Sequence, residues 1–323
     1  MNSLKRMSFK HKNNKFSYYF ANYARLLVPE IFYRVRLNKQ LKKLKKYDTA
    51  YIDSRVNYYN KLVKNQTLPA DTEKLSDLRI IKHYKTYFLD SKLYTRFFNP
   101  KLCINFLFGD ITEIPDTPSI VKSRPIYGDN TNSVILKLDI MRHFLFTKDK
   151  TKFVDKKNML VGRGKINQLH RARFMEMYFG HPLCNIGNVT NKENYTGWLV
   201  PRLTISEQLK FKFILCLEGN DVASNLKWVM SSNSIAVMPK PKYETWFMEG
   251  TLIENYHYIL IKDDYSDLEE RLNYYIEHTD EALQIIDNAH QYVEPFKNKG
   301  QEDIIAFLVI QKYFQKTGQL QGK

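Results

Sequence analysis

Phe211-Lys-Phe-Ile-Leu-Cys-Leu-Glu-Gly-Asn-Asp-Val-Ala-Ser-Asn-Leu-Lys-Trp-Val-Met230 is the stretch whose reading decides the fold. It opens on an apolar run, Phe211 to Leu217, long enough for a buried strand and short for a helix. Glu218-Gly219-Asn220-Asp221 reads as a turn. Asp221 reads as the N-cap of a helix to about Met230, with Val222, Leu226 and Val229 on one face. Ser231-Ser232-Asn233 breaks that helix, and Ser234 to Met238 is a second strand closed by Pro239-Lys-Pro241. Tyr243 to Leu252 reads as a further helix and His257 to Lys262 as a third strand. Strand, helix, strand, helix, strand at this spacing predicts half of a doubly wound α/β domain with a parallel sheet. Ligands of such sheets sit beyond the carboxyl ends of the strands, where Glu218 to Asn220 falls, and a helix N-terminus placed there suits a phosphate.

The same segment carries a resemblance. Phe213 to Trp228, followed by Pro239-Lys-Pro-Lys-Tyr-Glu-Thr-Trp-Phe-Met-Glu249, resembles the signature half of glycosyltransferase family 90. That family holds the CAP10-like and lipopolysaccharide-modifying (LpsA-type) glycosyltransferases and the protein O-glucosyltransferases, and the bacterial lipopolysaccharide branch is the most similar. The resemblance implies an inverting transferase that takes a hexose from a UDP-sugar. It also implies the GT-B fold.

The 323 residues carry a net charge of +16, but unevenly. Residues 1–46 hold thirteen Lys or Arg and one acid, Glu30, which leaves +4 for the other 277 residues. A basic arm therefore needs explaining, rather than a basic protein. Its sequence mixes Tyr18, Tyr19, Phe20, Tyr23, Leu26, Leu27, Ile31, Phe32 and Val35 at helical spacings, with Pro29 as a kink or helix start. Leu41 and Leu44 then alternate with Lys42, Lys43, Lys45 and Lys46. Such a stretch fits an anionic membrane surface or, more plainly, a first helix docked on the body with a solvated basic face. Basic residues among aromatics also mark nucleic-acid binding, but no such motif accompanies them, and no nucleic-acid partner is expected. No apolar run reaches 18 residues, and no apolar core of a signal peptide is present. Cys103, Cys184 and Cys216 show no metal-ligand spacing and fit a reducing compartment. The expected location is the cytoplasm, peripheral at the inner face of the cytoplasmic membrane.

Alternating strand-like and helix-like runs divide the chain into a basic arm (1–46), an acceptor-side α/β domain (47–155), a nucleotide-sugar-binding α/β domain (156–295) and a C-terminal helix (296–323) packing back on the first domain. The expected whole is an α/β chain with two facing Rossmann-like domains and a cleft between them, the GT-B arrangement that the resemblance also implies.

Sugar transfer needs a base for the acceptor hydroxyl, positive charge for the leaving diphosphate, and a nucleotide held in register. Asp110 follows an apolar run and Gly109, which predicts a strand's carboxyl end, and Phe108-Gly-Asp-Ile111 matches the place of the family's base. Asp after Gly is also common turn chemistry, and Glu113 and Asp116 are rivals. The resemblance points to Arg163 in Gly162-Arg-Gly164 for the diphosphate, although the aromatic residue common before that Arg is here Gly162. It also points to Lys227, where the protein O-glucosyltransferase branch carries Arg. By itself Lys227 reads as a solvated helix residue. Gly164, Gly219, Asn220, Asp221 and Ser224 complete the nucleotide site, with Glu249 on the ribose or, equally, on a plain helix face. Lys122, Ser123 and Arg124 are read as acceptor or phosphate ligands, against a surface turn; Arg142-His143 carries too little signal to assign. Asp263-Asp264 faintly suggests a metal-binding Asp-x-Asp, but its spacing is wrong and Asp264 to Asp267 reads as helix-start chemistry. No metal or other cofactor is expected, since Arg163, Lys227 and a helix N-terminus would supply the charge.

The leading expectation is thus a metal-independent UDP-hexose transferase acting on a lipopolysaccharide core or related glycolipid. The alternatives are a protein O-glycosyltransferase and a non-catalytic basic protein binding membrane or nucleic acid. An odd cysteine count and the absence of a signal sequence weigh against the secretory setting of the former.

Overall fold

The computed structural model describes residues 13–190 and 196–321, so the polar stretch before Asn13 lies outside the described residues. In chain order the elements are α1 (Lys15–Leu26), α2 (Ile31–Arg34), α3 (Leu37–Leu41), α4 (Thr49–Tyr59), α5 (Lys85–Thr95), β1 (Phe106–Leu107), β2 (Ser119–Val121), β3 (Ser123–Pro125), β4 (Ser133–Ile135) and α6 (Ile140–His143). There follow β5 (Lys157–Gly164), α7 (Leu169–Tyr178), β6 (Cys184–Asn188), α8 (Ile205–Gln208), β7 (Phe211–Leu215), α9 (Leu226–Met230), β8 (Ile235–Met238), β9 (Tyr243–Thr245), β10 (Ile259–Leu260), α10 (Leu268–Glu277), α11 (Thr279–Lys297) and α12 (Lys299–Lys316). They form two compact units, neither of them one run of chain. Residues 143–241 and 251–294 make one; 14–142, 242–250 and 295–321 make the other.

The first unit is built on a five-stranded parallel sheet in the order β10-β8-β7-β5-β6. Every residue of β7 and β8 is buried, as strands covered on both faces require, which is why their sequence is continuously apolar instead of alternating. Phe174, Phe213, Ile235, Ile259, Leu268 and Ile285 are among the residues of its core. Thr204 caps α8 in a reciprocal box with Glu207, which fixes the turn into β7. The expected parallel α/β sheet is present.

Two local expectations are corrected. The helix after β7 starts at Leu226, not Asp221, because residues 220–225 form bends and turns and Asn225 donates its amide to the Leu215 carbonyl at 2.9 Å. At five residues α9 offers no N-terminal anion site of the kind expected. Tyr243 to Leu252 is not a helix either. Its first residues are β9, which pairs antiparallel with β3 in the second unit, and Glu249–Thr251 is a single 3-10 turn. The cause is long-range: Trp246 and Phe247 are fully buried in that unit, and Arg124 stands directly across the ladder from Glu244.

The second unit carries a three-stranded parallel sheet, β1-β2-β4, the β3-β9 ribbon, and α4, α5 and α12. Ile120, Val134, Leu89, Ile305 and Val309 lie in its interior, and Tyr59 stacks on Trp246 at 3.9 Å. The N-terminal helices dock on this body. Tyr18 donates to Asp90 at 2.6 Å, Arg96 Nη1 to the Arg25 carbonyl at 3.0 Å, and Lys92 pairs with Glu30 at 3.0 Å. Their outward residues stay exposed: Phe16, Phe20, Leu27, Ile31, Phe32 and Val35. Among the described residues no helix is long and apolar enough to cross a membrane.

Candidate active site

The strand order of the first unit reverses between β5 and β7, because the chain goes from β5 to one neighbour, β6, and then to the other, β7. Crevices at such a switch point, beyond the carboxyl ends of the strands, are where doubly wound sheets bind ligands. At this switch point lie Gly164 and Lys165, at the end of β5, and Leu217 to Asn220 after β7. Arg171, in the first turn of α7, joins the two. Its Nε donates to the Glu218 carbonyl at 2.8 Å, Nη2 to the Leu217 carbonyl at 2.8 Å, and Nη1 to the Lys165 carbonyl at 2.9 Å. His170 Nε2 lies 2.9 Å from the same Glu218 carbonyl, and Gln168 donates to Asn220 at 2.9 Å. A methyl on Gly219 would come within 3.5 Å of Arg171 Nη2, so the guanidinium lies against that glycine.

Lys227 is wholly buried in α9, so it is not the solvated helix residue that its sequence alone suggests. Its charge acts on Cys216, the residue directly after β7: burial drives that thiol's pKa well up, and Lys227 opposes the rise. Cys216 follows the carboxyl end of β7, so the Lys227 charge is felt there. Asp221 is buried as well, Ser224 half-buried, and Asn220 exposed.

Arg163 points elsewhere. Its guanidinium donates to the Asn185 side chain at 2.7 Å, to the Asn185 carbonyl at 2.6 Å and to the Pro201 carbonyl at 3.1 Å. The preceding Gly162 is required by packing, since a Cβ there would meet Leu215 at 3.1 Å and Ile186 at 3.3 Å; an aromatic side chain has no room. Glu249 belongs to the other unit, where it is buried and accepts from the Thr245 amide at 2.6 Å, closing the turn after β9. Asp264 accepts from the Ser266 amide and hydroxyl in a turn ahead of α10, whose N-cap is Asp267 without a side-chain cap bond. Among the described residues no three His, Cys, Asp or Glu side chains gather as a metal-ligating group.

The second unit has its own charged cluster, again at carboxyl strand ends. Asp110 follows β1, Lys122 follows β2, and Asp139 lies four residues beyond β4; these three strands are adjacent and parallel. Lys122 Nζ is 2.5 Å from Asp110; the lysine is buried and the Asp110 side chain 24% exposed. The ion pair fixes the direction of the carboxylate. Ser123 Oγ donates to the Ile111 carbonyl at 3.4 Å, tying the two loops together. Glu113 and Asp116 are exposed on the loop between.

Arg124 corrects the expectation of an acceptor ligand. It is completely buried and pairs with Glu244 at 2.8 Å, and the guanidinium also donates to the carbonyls of Ser133 at 2.9 Å, Tyr58 at 2.8 Å and Tyr59 at 3.3 Å. Tyr58 donates its hydroxyl to the same Glu244. Four donations of Arg124 are thus taken up inside the second unit, and none of its side chain reaches solvent.

Two carboxylates that the sequence reading passed over complete the cluster. Asp139 has φ +52°, a strained value for a residue with a side chain and one concentrated at functional sites. Burial raises its pKa, Arg142 and Lys122 lower it, and Asp110 adds to the rise. Asp90, on α5, accepts from Tyr18 at 2.6 Å and from the Ile140 amide at 2.9 Å, so it anchors the chain beside Asp139. Burial lifts Asp90 to about 7, against the pull of those two donors. Asp139 had a signal in the sequence: like Asp110, it follows an apolar strand-like run. Arg171 had one too, since the first turn of a helix after a strand faces the carboxyl end of the sheet.

Asp90 gives a pH test. Its folded pKa lies above its unfolded value, so the folded state binds more protons between about pH 4 and 7 and stability falls as pH rises through that window. Asp90→Asn should flatten the fall, by a few kcal/mol at most. Denaturant midpoints taken from pH 4 to 8 check this; parallel profiles for the two proteins would remove Asp90 as the cause.

Residues 132–315, more than half of the chain, match the family described as Glycosyl transferase family 90. The chain is also similar to "O-glucosyltransferase LpsA" of Dichelobacter nodosus: 42% identical over 265 residues, covering 82% of this chain and 83% of that protein.

Proposed function

The chain belongs to glycosyltransferase family 90, and from that premise we propose that it moves a hexose, with inversion, from a UDP-sugar to a hydroxyl of a lipopolysaccharide core or related glycolipid. The name of the Dichelobacter relative, an O-glucosyltransferase, makes glucose the first sugar to try. The observation that carries the reading is the switch point of the first unit, where Arg171 holds the loop after β7 and the chain runs on into α9 with Lys227 buried in it.

In this reading the two units divide the work as the domains of a GT-B enzyme do. The first holds the nucleotide through Gly164, Gly219, Asn220, Asp221 and Ser224. Lys227 meets the diphosphate as charge develops on it, where a fixed cation in a poorly solvated site stabilises the transition state more than the ground state. Arg163 shares that role only if its bonds to Asn185 and Pro201 give way, so its part is the smaller one. In the second unit Asp110 takes the acceptor proton, with Lys122 orienting it, as the hydroxyl oxygen attacks the anomeric carbon and UDP leaves with the electron pair of the broken bond. The transfer needs no metal in this proposal. The protein works at the cytoplasmic face of an anionic membrane, against which α1 to α3 lie.

The test is transfer from UDP-glucose to lipopolysaccharide core, with and without excess chelator. Transfer should persist in chelator. Lys227→Ala should lower kcat/KM mainly through kcat, and Arg171→Ala should lower it about tenfold or more by releasing the loop, with UDP inhibition weakened in both. Normal kcat in both variants would remove the crevice from the mechanism; activity restored only by a divalent cation would overturn the metal-free step.

A further inference from the structure

The second unit holds a cavity of about 160 Å³ away from the residues assigned above. Arg25 of α1, Tyr33 of α2, Arg96, Phe97, and Lys299 and Asp303 of α12 line it. Three cations thus face one carboxylate, and Asp303 is already held by Lys299 at 2.5 Å and by the Tyr94 hydroxyl at 3.2 Å. Arg25 bonds the Asn22 amide oxygen at 3.1 Å, a neutral partner.

Arg96 is the centre of the argument. It is 3% exposed. Nε donates to the Lys92 carbonyl, Nη1 to the Arg25 carbonyl, and the guanidinium lies 4.9 Å from the Tyr33 ring. The Tyr33 side chain bonds the guanidinium as well, and Nη2 is buried with donor capacity to spare, since a guanidinium carries five N–H groups. A buried cationic donor left unsatisfied is costly, and such sites are kept where a ligand completes them. The cavity is too large for one water alone and has room for a phosphate group.

We propose that this cavity binds the phosphate of an anionic lipid headgroup. The helices that supply its wall also carry the exposed apolar face: Leu27 and Val28 follow Arg25, and Ile31, Phe32 and Val35 flank Tyr33, with Leu27 85% and Val35 70% exposed. An apolar face in the acyl boundary and a cationic cavity at headgroup level suit one amphiphile, and the lysines of α3 and the turn after it add diffuse attraction. The occupant rests on the membrane-surface reading given above; the cavity does not.

Vesicle co-sedimentation tests it, with 30% phosphatidylglycerol in phosphatidylcholine against phosphatidylcholine alone. Runs at 0.5 M salt screen the surface lysines, and a partly enclosed site is screened much less. Arg25→Gln with Lys299→Gln, both near the surface, should weaken binding to the anionic vesicles about tenfold at high salt. Arg96→Gln should do the same, its folding checked by thermal denaturation. Short-chain phosphatidylglycerol should raise the wild-type melting temperature and leave the double variant unmoved. Unchanged vesicle affinity in these variants would overturn the proposal. So would protection by inorganic phosphate that the variants lose while vesicle binding persists, since the cavity would then take free phosphate. Transfer to a soluble acceptor is unaffected by Arg25→Gln and Lys299→Gln, so failure of the lipid arm leaves the enzymatic reading standing.

Discussion

Asp110→Asn should lower turnover by about a hundredfold or more while UDP affinity stays normal. The asparagine keeps an oxygen that can accept from Lys122, so the loop after β1 should hold its place; what is lost is the group that accepts the acceptor's proton. Gly109, at φ +119°, shapes that loop and is untouched. UDP affinity is the internal control, because the proposed nucleotide crevice belongs to the other unit. The pH profile of kcat/KM sharpens the test. An acid limb that belongs to Asp110 should vanish in the variant, which has no carboxyl there to titrate. Asp139→Asn serves as comparison, since Asp139 is more deeply buried and only neighbours the pair. Normal turnover in Asp110→Asn with a hundredfold loss in Asp139→Asn would move the base from one strand end to the next.

Removing Arg124 should cost stability rather than acceptor affinity. Arg124→Ala leaves Glu244 buried with its cation gone, together with three carbonyls that the guanidinium satisfied, and breaking a buried pair in this way typically costs about 3–5 kcal/mol. Glu244→Gln should cost less, since Tyr58 and Arg124 still find an amide oxygen. The double variant Arg124→Met with Glu244→Leu should recover much of the loss, because the desolvation of both charges disappears with them. Urea denaturation of the wild type, Arg124→Met, Glu244→Leu and their double variant closes a double-mutant cycle whose coupling term should be large. Arg124→Ala with a normal denaturation midpoint and a raised acceptor KM would sink the structural assignment and return Arg124 to the acceptor.

The strands of the first unit were legible because their cause is local. Phe211 to Leu215 and Ile235 to Met238 are continuously apolar and bounded by turn residues, the composition that a strand covered on both faces must have. The strand-end carboxylate Asp110 was legible for the same reason, and the family could be read from one ordered stretch. Only the tertiary structure decided the rest. Tyr243 to Thr245 passes for helix until Arg124, 120 residues away, is found opposite Glu244. No local pattern encodes that ladder; it follows from what else must be buried. Which way a long side chain turns is likewise settled by its neighbours: Arg163 by Asn185 and Pro201, Arg171 by three carbonyls of two loops, Lys227 by a helix that starts late and buries it. Sequence spacing places a cation near a strand end. Whether its charge reaches the crevice, closes a loop or disappears into an ion pair depends on packing between residues far apart in the chain.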